Sequence, residues 1–580
     1  MSWILAGSVL LTVTARLYLI FATRATEEDF YITLRYASNL AHGVGFVYNT
    51  GEHVLGTTTP LYTLLLALAI RLHLDPTLTG KLVSTAADAG SCLFAWRLGC
   101  ALKRPLAGLC AGLCLAVAPL NLTESVKGME SGLVACACVG AWAFWAEGRS
   151  AAAWVCAALL ALLRIDGAIL AVILLAACLQ RDGRLPWRGL LLYILLTLPW
   201  LLYATVAFGS PIPASLRAKL VVYGWHNSAY FPNLVPFLRI MTHNPLSLLL
   251  FVGASAAVTQ TIWSWRARRK VRSEPGAETG EAVTIEGAPP TGENDRGRRE
   301  LGSIVTDGAP PIGENDSAPS RLPPIEPILA WLAVYYGGMA FSKVFLFGWY
   351  FLPPTPVYYL VAFVGWERLS AGVRGNLPSW KPRLTLPALA GMYLSVGVLL
   401  AVVTVPRVAR TLRESQRVED ELRIPIGLWL KAHALPADTV MLEPIGYIGY
   451  YSDLRVLDTV GLVSPETLPF YSQAEESPYH ALWTRFQPEW ILLRSGEWEA
   501  LLRHERKLPA DQRLGARYRE AQTWQSPGSP PDSAPVFRLF QRTSPPNPPP
   551  ALRVPAETER GALPHFRPSC EAGPYPRHLS

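Results

Sequence analysis

Long apolar runs recur along the chain, and they decide what it can fold into. The stretches "GLLLYILLTLPWLLYATVAF" at 189–208 and "PALAGMYLSVGVLLAVVTV" at 387–405 are each long enough to cross a hydrocarbon core of about 30 Å. Further runs lie at 3–21, 83–101, 106–122, 131–147, 151–163, 167–180, 246–264, 327–346 and 350–366, with a shorter one at 59–72. Only 17% of the 580 residues are charged, against about 25% in an average soluble domain, so a soluble globule is excluded. The net charge of +8 does not make a nucleic-acid surface, because the basic residues sit in short loops at helix ends.

The run at 59–72 governs the topology. If it spans, Lys103, Arg104, Arg181, Arg184, Arg188 and the cluster Arg266, Arg268, Arg269, Lys270 and Arg272 all fall outside the cytoplasm. If it does not, all fall inside, as the positive-inside bias requires. The expectation is therefore an α-helical polytopic protein of the cytoplasmic (inner) membrane with about eleven transmembrane helices, N-terminus inside and C-terminus outside. The first run, with no basic region before it and no small-residue cleavage pattern, is taken as a retained span. Eight of the nine cysteines lie in or beside apolar runs, and no His stands near Cys110/Cys114 or Cys136/Cys138, so neither a disulfide framework nor a metal site is indicated.

Five regions follow. Residues 1–265 form an N-terminal transmembrane module with external loops at 24–82 and 209–244. Residues 266–324 are a cytoplasmic insert in which "GAPPTGEND" at 287–295 returns as "GAPPIGEND" at 308–316, a composition expected to stay disordered. Residues 325–405 supply the last spans. Residues 406–545 alternate helical patterns (408–434, 479–486, 497–522) with strand-like runs "TVMLE", "RVLDTVGL", "WILLRS" and "PVFRLF", which predicts a small extracytoplasmic α/β domain. A Pro-rich tail, expected to be disordered, occupies 546–580.

The chemistry concentrates outside the first span. Glu27, Glu28 and Asp29 stand together at the membrane surface, and Phe30, Leu34, Ala37 and Leu40 then follow helical spacing, which predicts a helix over 30–42 lying on the bilayer. From the residues alone, Asp29 is equally a helix cap or a catalytic acid. Arg164 and Asp166 fall where a span reaches the outer face, and they either cap a helix hairpin or serve a phosphate. Glu130, with Lys127 nearby, sits at an outer helix start. Arg217 and Lys219 stand in an apolar, aromatic segment that suits a surface helix, with snorkelling as the alternative. Trp349, Tyr350 and Phe351 suit an aromatic belt. In "LEPIGYIGYYSDLRVLDTVGL", Glu443, Asp458 and Gly461 lie on a strand–Gly–strand pattern whose glycines suit tight turns, a fold element expected to abut a catalytic cavity or to hold acceptor glycan, with no part in catalysis. No phosphate-cradling GxxxxGK loop and no Ser-His-Asp set is present.

The stretch from Glu28 reads E-D-F-Y-I-T-L-R-Y-A-S-N-L and then G-V-G-F-V-Y-N-T-G-E. It resembles the first external loop of the GT-C superfamily of polyprenyl-phosphate-sugar-dependent glycosyltransferases, in particular its terminal arabinofuranosyltransferase branch, where the wording is D-D-A-Y-I-x-F-R-Y-A-x-N-L and G-x-G-x-V-x-N-P-G-E. "GMESGL" at 128–133, "RIDGAIL" at 164–170, "GSPIPASLRAKL" at 209–220, "WYFLPPTPVYY" at 349–359 and "IGYIGYYSDLRVLDTVGLVSP" at 445–465 are similar to the same family in the same order.

The resemblance implies an enzyme that transfers a sugar from a polyprenyl-phosphate donor to a hydroxyl of a cell-envelope glycan, lipid or protein. It makes Asp29 the general base and Glu28, where the family has Asp, the other catalytic acid, which would position the acceptor or a divalent cation. It assigns Arg35, Glu130, Arg164 and Asp166 to substrate binding, and likewise Arg217, Lys219 and Tyr350. No cofactor is assigned, and a divalent cation stays open. The competing class is a transporter or flippase of a lipid-linked glycan, which would call for inverted repeats and helices broken at mid-membrane; a degenerate relative acting as a sensor is a third reading.

Overall fold

The computed structural model describes residues 2–225, 233–242, 244–273, 324–342, 346–374, 386–471, 477–525 and 536–545. Both copies of the insert repeat and the tail from 546 lie outside the described residues.

Every apolar run forms a helix. In chain order these are α1 (Ser2–Thr23), α2 (Glu28–Ala41), α3 (Pro60–Arg71), α4 (Pro76–Ala101), α5 (Pro105–Val117), α6 (Pro119–Ser125), α7 (Ser131–Ala146), α8 (Ser150–Leu163), α9 (Ala168–Asp182) and α10 (Trp187–Phe208). They continue with α11 (Ala214–Trp225), α12 (Leu234–Thr242), α13 (Pro245–Ser273), α14 (Glu326–Phe341), α15 (Thr355–Arg374) and α16 (Leu386–Val418). Among the described residues, four helical stretches are long and apolar enough to cross a membrane, namely Ser2–Thr23, Trp187–Phe208, Pro245–Arg266 and Gly391–His433. The pair α5 and α6, bent by 58° at Ala118 before Pro119, would make a fifth. α10 buries only Gly189, Thr197 and Ala204 and leaves a face of large apolar side chains exposed, which suits lipid contact. α3 has 12 residues, or about 18 Å of helix, well short of a hydrocarbon core.

A charge pair is sunk among these helices. Arg16 of α1 meets Asp88 of α4 at 2.7 Å and also donates to the carbonyls of Leu115 and Ala116 at 2.6 and 3.0 Å. The break before Pro119 strips those carbonyls of helical partners, and the guanidinium supplies donors in their place.

α16 does not stop at residue 405 but runs on to Val418, passes through a π-helical turn at Glu419–Arg423 and continues as α17 (Ile424–His433). Beyond it lie β1 (Thr439–Leu442), α18 (Gly446–Ser452), β2 (Arg455–Asp458), α19 (Pro478–Phe486), β3 (Trp490–Arg494), α20 (Ser495–Glu505), β4 (Tyr518–Gln525) and β5 (Val536–Arg542). The sheet has the order β2-β1-β3-β5-β4, with β1 parallel to β2 and β3, and β5 antiparallel to β3 and β4. Its faces are filled by alternating residues: Val440, Leu442, Val456 and Leu492 pack toward α17, whereas Met441, Leu457, Ile491 and Leu493 pack toward Trp483 of α19 and Leu501 of α20.

Three expectations fail here. The helix over 497–522 ends at Glu505, and 518–525 is strand β4, whose polar residues sit on the sheet edge and pair with β5. The glycine-rich stretch after β1 is not a pair of turns but the helix α18. Its glycines answer to packing, since a Cβ on Gly446 would stand 2.1 Å from the Glu28 carbonyl and one on Gly449 2.0 Å from the Tyr48 hydroxyl. α2 is likewise more enclosed than a helix lying on a bilayer, because Phe30–Ala37 are all buried.

Candidate active site

A cavity of about 150 Å³ opens where α2, α7, the α8–α9 turn, α11 and the segment before α15 converge. Its wall includes Asp29, Glu130, Arg164, Asp166, Lys219 and Tyr350. These six come from positions between 29 and 350 in the sequence, and the fold brings them together.

Asp29 stands in the first turn of α2. The N-cap is Glu27, which makes no side-chain capping bond, so the cap reading does not describe Asp29; its carboxylate lines the cavity and is one third exposed. The turn between α6 and α7 fixes this helix end. Glu27 donates its backbone N–H to the Lys127 carbonyl at 3.0 Å, and the Lys127 ammonium ties Glu27 at 2.8 Å to Glu124 at 3.2 Å. Lys127 is thereby spent on the scaffold. The same turn carries Gly128 at φ +87°, a backbone conformation natural to glycine, and delivers Glu130 fully buried at the start of α7. Burial pushes the Glu130 carboxyl above its ordinary range, against the pull of Arg164.

Arg164 breaks the helical line between α8 and α9 with extended backbone, which turns its side chain inward. Asp166 clasps it with both oxygens at 3.0 Å, Glu130 lies 3.5 Å from Nη1, and the Tyr350 ring sits 5.0 Å from the guanidinium carbon. Tyr335 of α14 joins this group by donating to the Tyr350 carbonyl at 3.0 Å and approaching Asp166 at 3.3 Å. Lys219 of α11 is held less tightly. Its ammonium is 3.9 Å from Asp29 and 3.2 Å from the Tyr350 hydroxyl. Burial opposes its charge, and Asp29 and Tyr350 outweigh that, so the ammonium is held above its ordinary range.

Three residues named from sequence lie elsewhere. Glu28 points away from the cavity, accepts the Gly446 amide at 2.5 Å and pairs with Arg423 at 3.3 Å. Arg35 is buried under the C-terminal domain, where it donates to the carbonyls of Tyr48, Gly449 and Leu454 at 2.9, 2.5 and 2.7 Å and stacks on the Tyr48 ring. Arg217 is exposed on α11, outside the cavity wall. Conversely, Thr33, Thr57 and Thr59 group their hydroxyls within 3.1–3.5 Å of one another on the wall, and Ser215 lines it with no partner for its hydroxyl among the described residues. Sequence gave these no distinguishing signal beyond the run "TTT" before α3.

Asp458 acts at one remove. Fully buried, it accepts the amides of Val460 at 2.9 Å and Val463 at 3.1 Å, and that of Leu462, whose side chain closes the cavity from the C-terminal domain. A second, largely apolar cavity of about 310 Å³ lies on the other side of the Gly348–Phe351 turn, with Phe351, Tyr336 and Tyr358 in its wall.

The backbone superposes on the oligosaccharyltransferase of Archaeoglobus fulgidus tethered with an acceptor peptide, over 93% of this chain and 74% of that one, with a TM-score of 0.52 at 10% identity. The fold is that of the GT-C glycosyltransferases. ArnT from Cupriavidus metallidurans bound to undecaprenyl phosphate is similar over 93% of this chain and 98% of its own, at 12% identity and a TM-score of 0.49. The mycobacterial arabinofuranosyltransferase AftD is similar over 93% of this chain, which spans only 40% of that protein, at 12% identity and a TM-score of 0.44. Residues 410–541 match a family described as a domain of unknown function, DUF8728. No curated protein matches the chain by sequence. The likeness to the archaeal oligosaccharyltransferase, at 10% identity, shows the fold alone and leaves the substrates open. Among the described residues no three His, Cys, Asp or Glu side chains are grouped to hold a metal ion.

Proposed function

We propose that the chain is a membrane glycosyltransferase that moves a sugar from a polyprenyl-phosphate donor to a hydroxyl of a cell-envelope glycan, lipid or protein. In this reading it is a multi-pass protein of the cytoplasmic membrane with eleven spans, and the cavity and C-terminal domain lie on the outer side. The observation that carries it is the opposition, within one cavity, of a partly exposed carboxylate on Asp29 to the cations Lys219 and Arg164.

The acceptor oxygen bonds to the anomeric carbon as the bond from that carbon to the phosphate oxygen breaks, and the acceptor proton passes to Asp29. A positioned base contributes about 10²–10⁴-fold to such a step. Charge develops on the departing phosphate, where Lys219 is the cation with N–H donors to spare; Arg164, its fork held by Asp166, adds field and orients the wall. The unpaired Ser215 hydroxyl and the threonine cluster suit sugar hydroxyls. The apolar second cavity suits the first units of the polyprenyl chain.

The test uses the full-length protein in membranes with a panel of polyprenyl-phosphate sugars. Asp29→Asn should lower transfer by about two orders of magnitude or more, with unchanged thermal unfolding. Asn matches Asp in size and stays in the first turn of α2, so a variant that kept its activity would return Asp29 to a structural part and favour a transporter without chemistry.

A further inference from the structure

The extension of α16 carries Arg407, Arg410, Arg413 and Arg417, all exposed and spaced three, three and four residues apart, so they share one face. Arg410, Arg413 and Arg417 line a groove of about 410 Å³ with Tyr18 of α1, Pro406, Ala409 and Glu414. Arg417 is paired with Glu421 at 2.6 Å, and Arg413 donates to the Ala22 carbonyl at 3.1 Å. Arg407 and Arg410 have no hydrogen-bonded acceptor among the described residues. Like charges one turn apart repel, and Glu414, one turn beyond Arg410, is the acidic side chain in the groove wall.

Their depth is informative. Residues 386–405 span about 30 Å of helix, a full hydrocarbon core, and the interfacial layer on each side is only about 5–8 Å thick. Arg407 and Arg410 then fall about 1–6 Å beyond Pro406, within that layer, and Arg413 falls about 10 Å beyond it, just outside the layer and within reach of it through its long side chain. The half-exposed Tyr18 suits the same level on α1. On the side that carries the C-terminal domain, the positive-inside bias gives no reason for four arginines.

We infer that this groove between α1 and the extension of α16 binds the phosphodiester headgroup of an anionic bilayer lipid. The site depends on α16 crossing the membrane and not on the catalytic reading. Guanidiniums at 410 and 413 in the groove wall would face the phosphate, with Arg407 one turn before them on the same exposed face.

Detergent-solubilised, delipidated full-length protein is offered phosphatidylglycerol or phosphatidylcholine of matched acyl chains, and bound lipid is counted by native mass spectrometry. Phosphatidylglycerol should be retained preferentially. Arg407→Gln with Arg410→Gln should weaken that retention roughly 25-fold, at the usual worth of two arginines near a charged surface. Arg407→Lys with Arg410→Lys should keep most of it, and Arg184→Gln with Arg188→Gln, two exposed arginines elsewhere, should not change it. Equal retention of the two lipids, or retention unaffected by the 407/410 glutamines in a protein of unchanged melting temperature, overturns the site. So does inorganic phosphate alone binding as tightly as the lipid, since the groove would then take free phosphate.

Discussion

Two cations reach the cavity, and they are held differently. Arg164 is committed to Asp166 through a two-toothed clasp, whereas Lys219 keeps a loose 3.9 Å contact with Asp29. If Lys219 meets the phosphate, losing that charge-assisted bond removes about 1.5–3 kcal/mol. Lys219→Gln should therefore raise the donor KM about 10- to 100-fold, and Lys219→Arg should restore much of it; an unchanged donor KM in steady-state assays would leave Lys219 to Tyr350 and Asp29 alone. Arg164→Lys keeps a charge but not the fork, so it should lower turnover more than donor affinity. Glu28 makes a contrasting case. Burial lifts its carboxyl to about 6, with Arg423 and the Gly446 amide pulling the other way. Its neutral form is thus the one favoured by folding, so its share of stability is present below the unfolded pKa of about 4.3 and is lost as pH rises through 6. Thermal melts should fall across that window by the equivalent of about 1–2 kcal/mol, and Glu28→Gln should flatten the profile. Because Glu28 faces the C-terminal domain, its Gln variant should keep far more transfer activity than Asp29→Asn.

At the scale of elements, the join between α2 and α18 ties the helix that carries Asp29 to the C-terminal domain. Tyr31 packs on Tyr447 with centroids 4.1 Å apart, and Arg35 stitches α2 to the carbonyls around α18. Gly449 gives a prediction whose sign runs against helix propensity. Gly to Ala inside a helix ordinarily gains about 1 kcal/mol, but here the new methyl would stand 2.0 Å from the Tyr48 hydroxyl, and overpacking costs about 1–3 kcal/mol. Gly449→Ala should lower the melting temperature by a few degrees, while Gly496→Ala in α20, where the added Cβ meets nothing within 4 Å, should not lower it. These elements were unequally legible in the sequence. β1 and β3 are solid apolar runs and could be read directly. β4 carries Arg, Glu and Gln on an exposed edge, and its strand character comes from pairing with β5. α18 looked like turns because its glycines are there for contacts that only the folded chain makes.

At the scale of the whole molecule, the cavity draws on helices far apart in sequence, which explains why motifs located Asp29, Glu130, Arg164, Asp166, Lys219 and Tyr350 but not Thr33, Tyr335 or Ser215. Charged residues stand out against apolar runs; hydroxyls do not, because in apolar helices most of them bond back to a carbonyl one turn earlier, as Thr12 and Thr63 do. In the proposed topology α3 stays on one side of the membrane, because it links Asp29 to Glu130 and Arg164 and these share one cavity. Its roughly 18 Å length is short of a span, and treating it as interfacial sends Arg184 and Arg188 to the cytoplasm while the exposed Leu435 beyond α17 goes outside. Reporters inserted after Arg184 and after Leu435 should read cytoplasmic and external, respectively. Five proposed spans, α10, α13, α14, α15 and α16, separate the two points, so the signals should be opposite whatever α3 does. Their absolute sense sets the face of the cavity: since Asp29, before α3, shares one cavity with Glu130 and Arg164, after it, the reverse assignment at both points would put the N-terminus outside and the cavity on the cytoplasmic face, and like signals at both would mean that one of those five helices fails to cross.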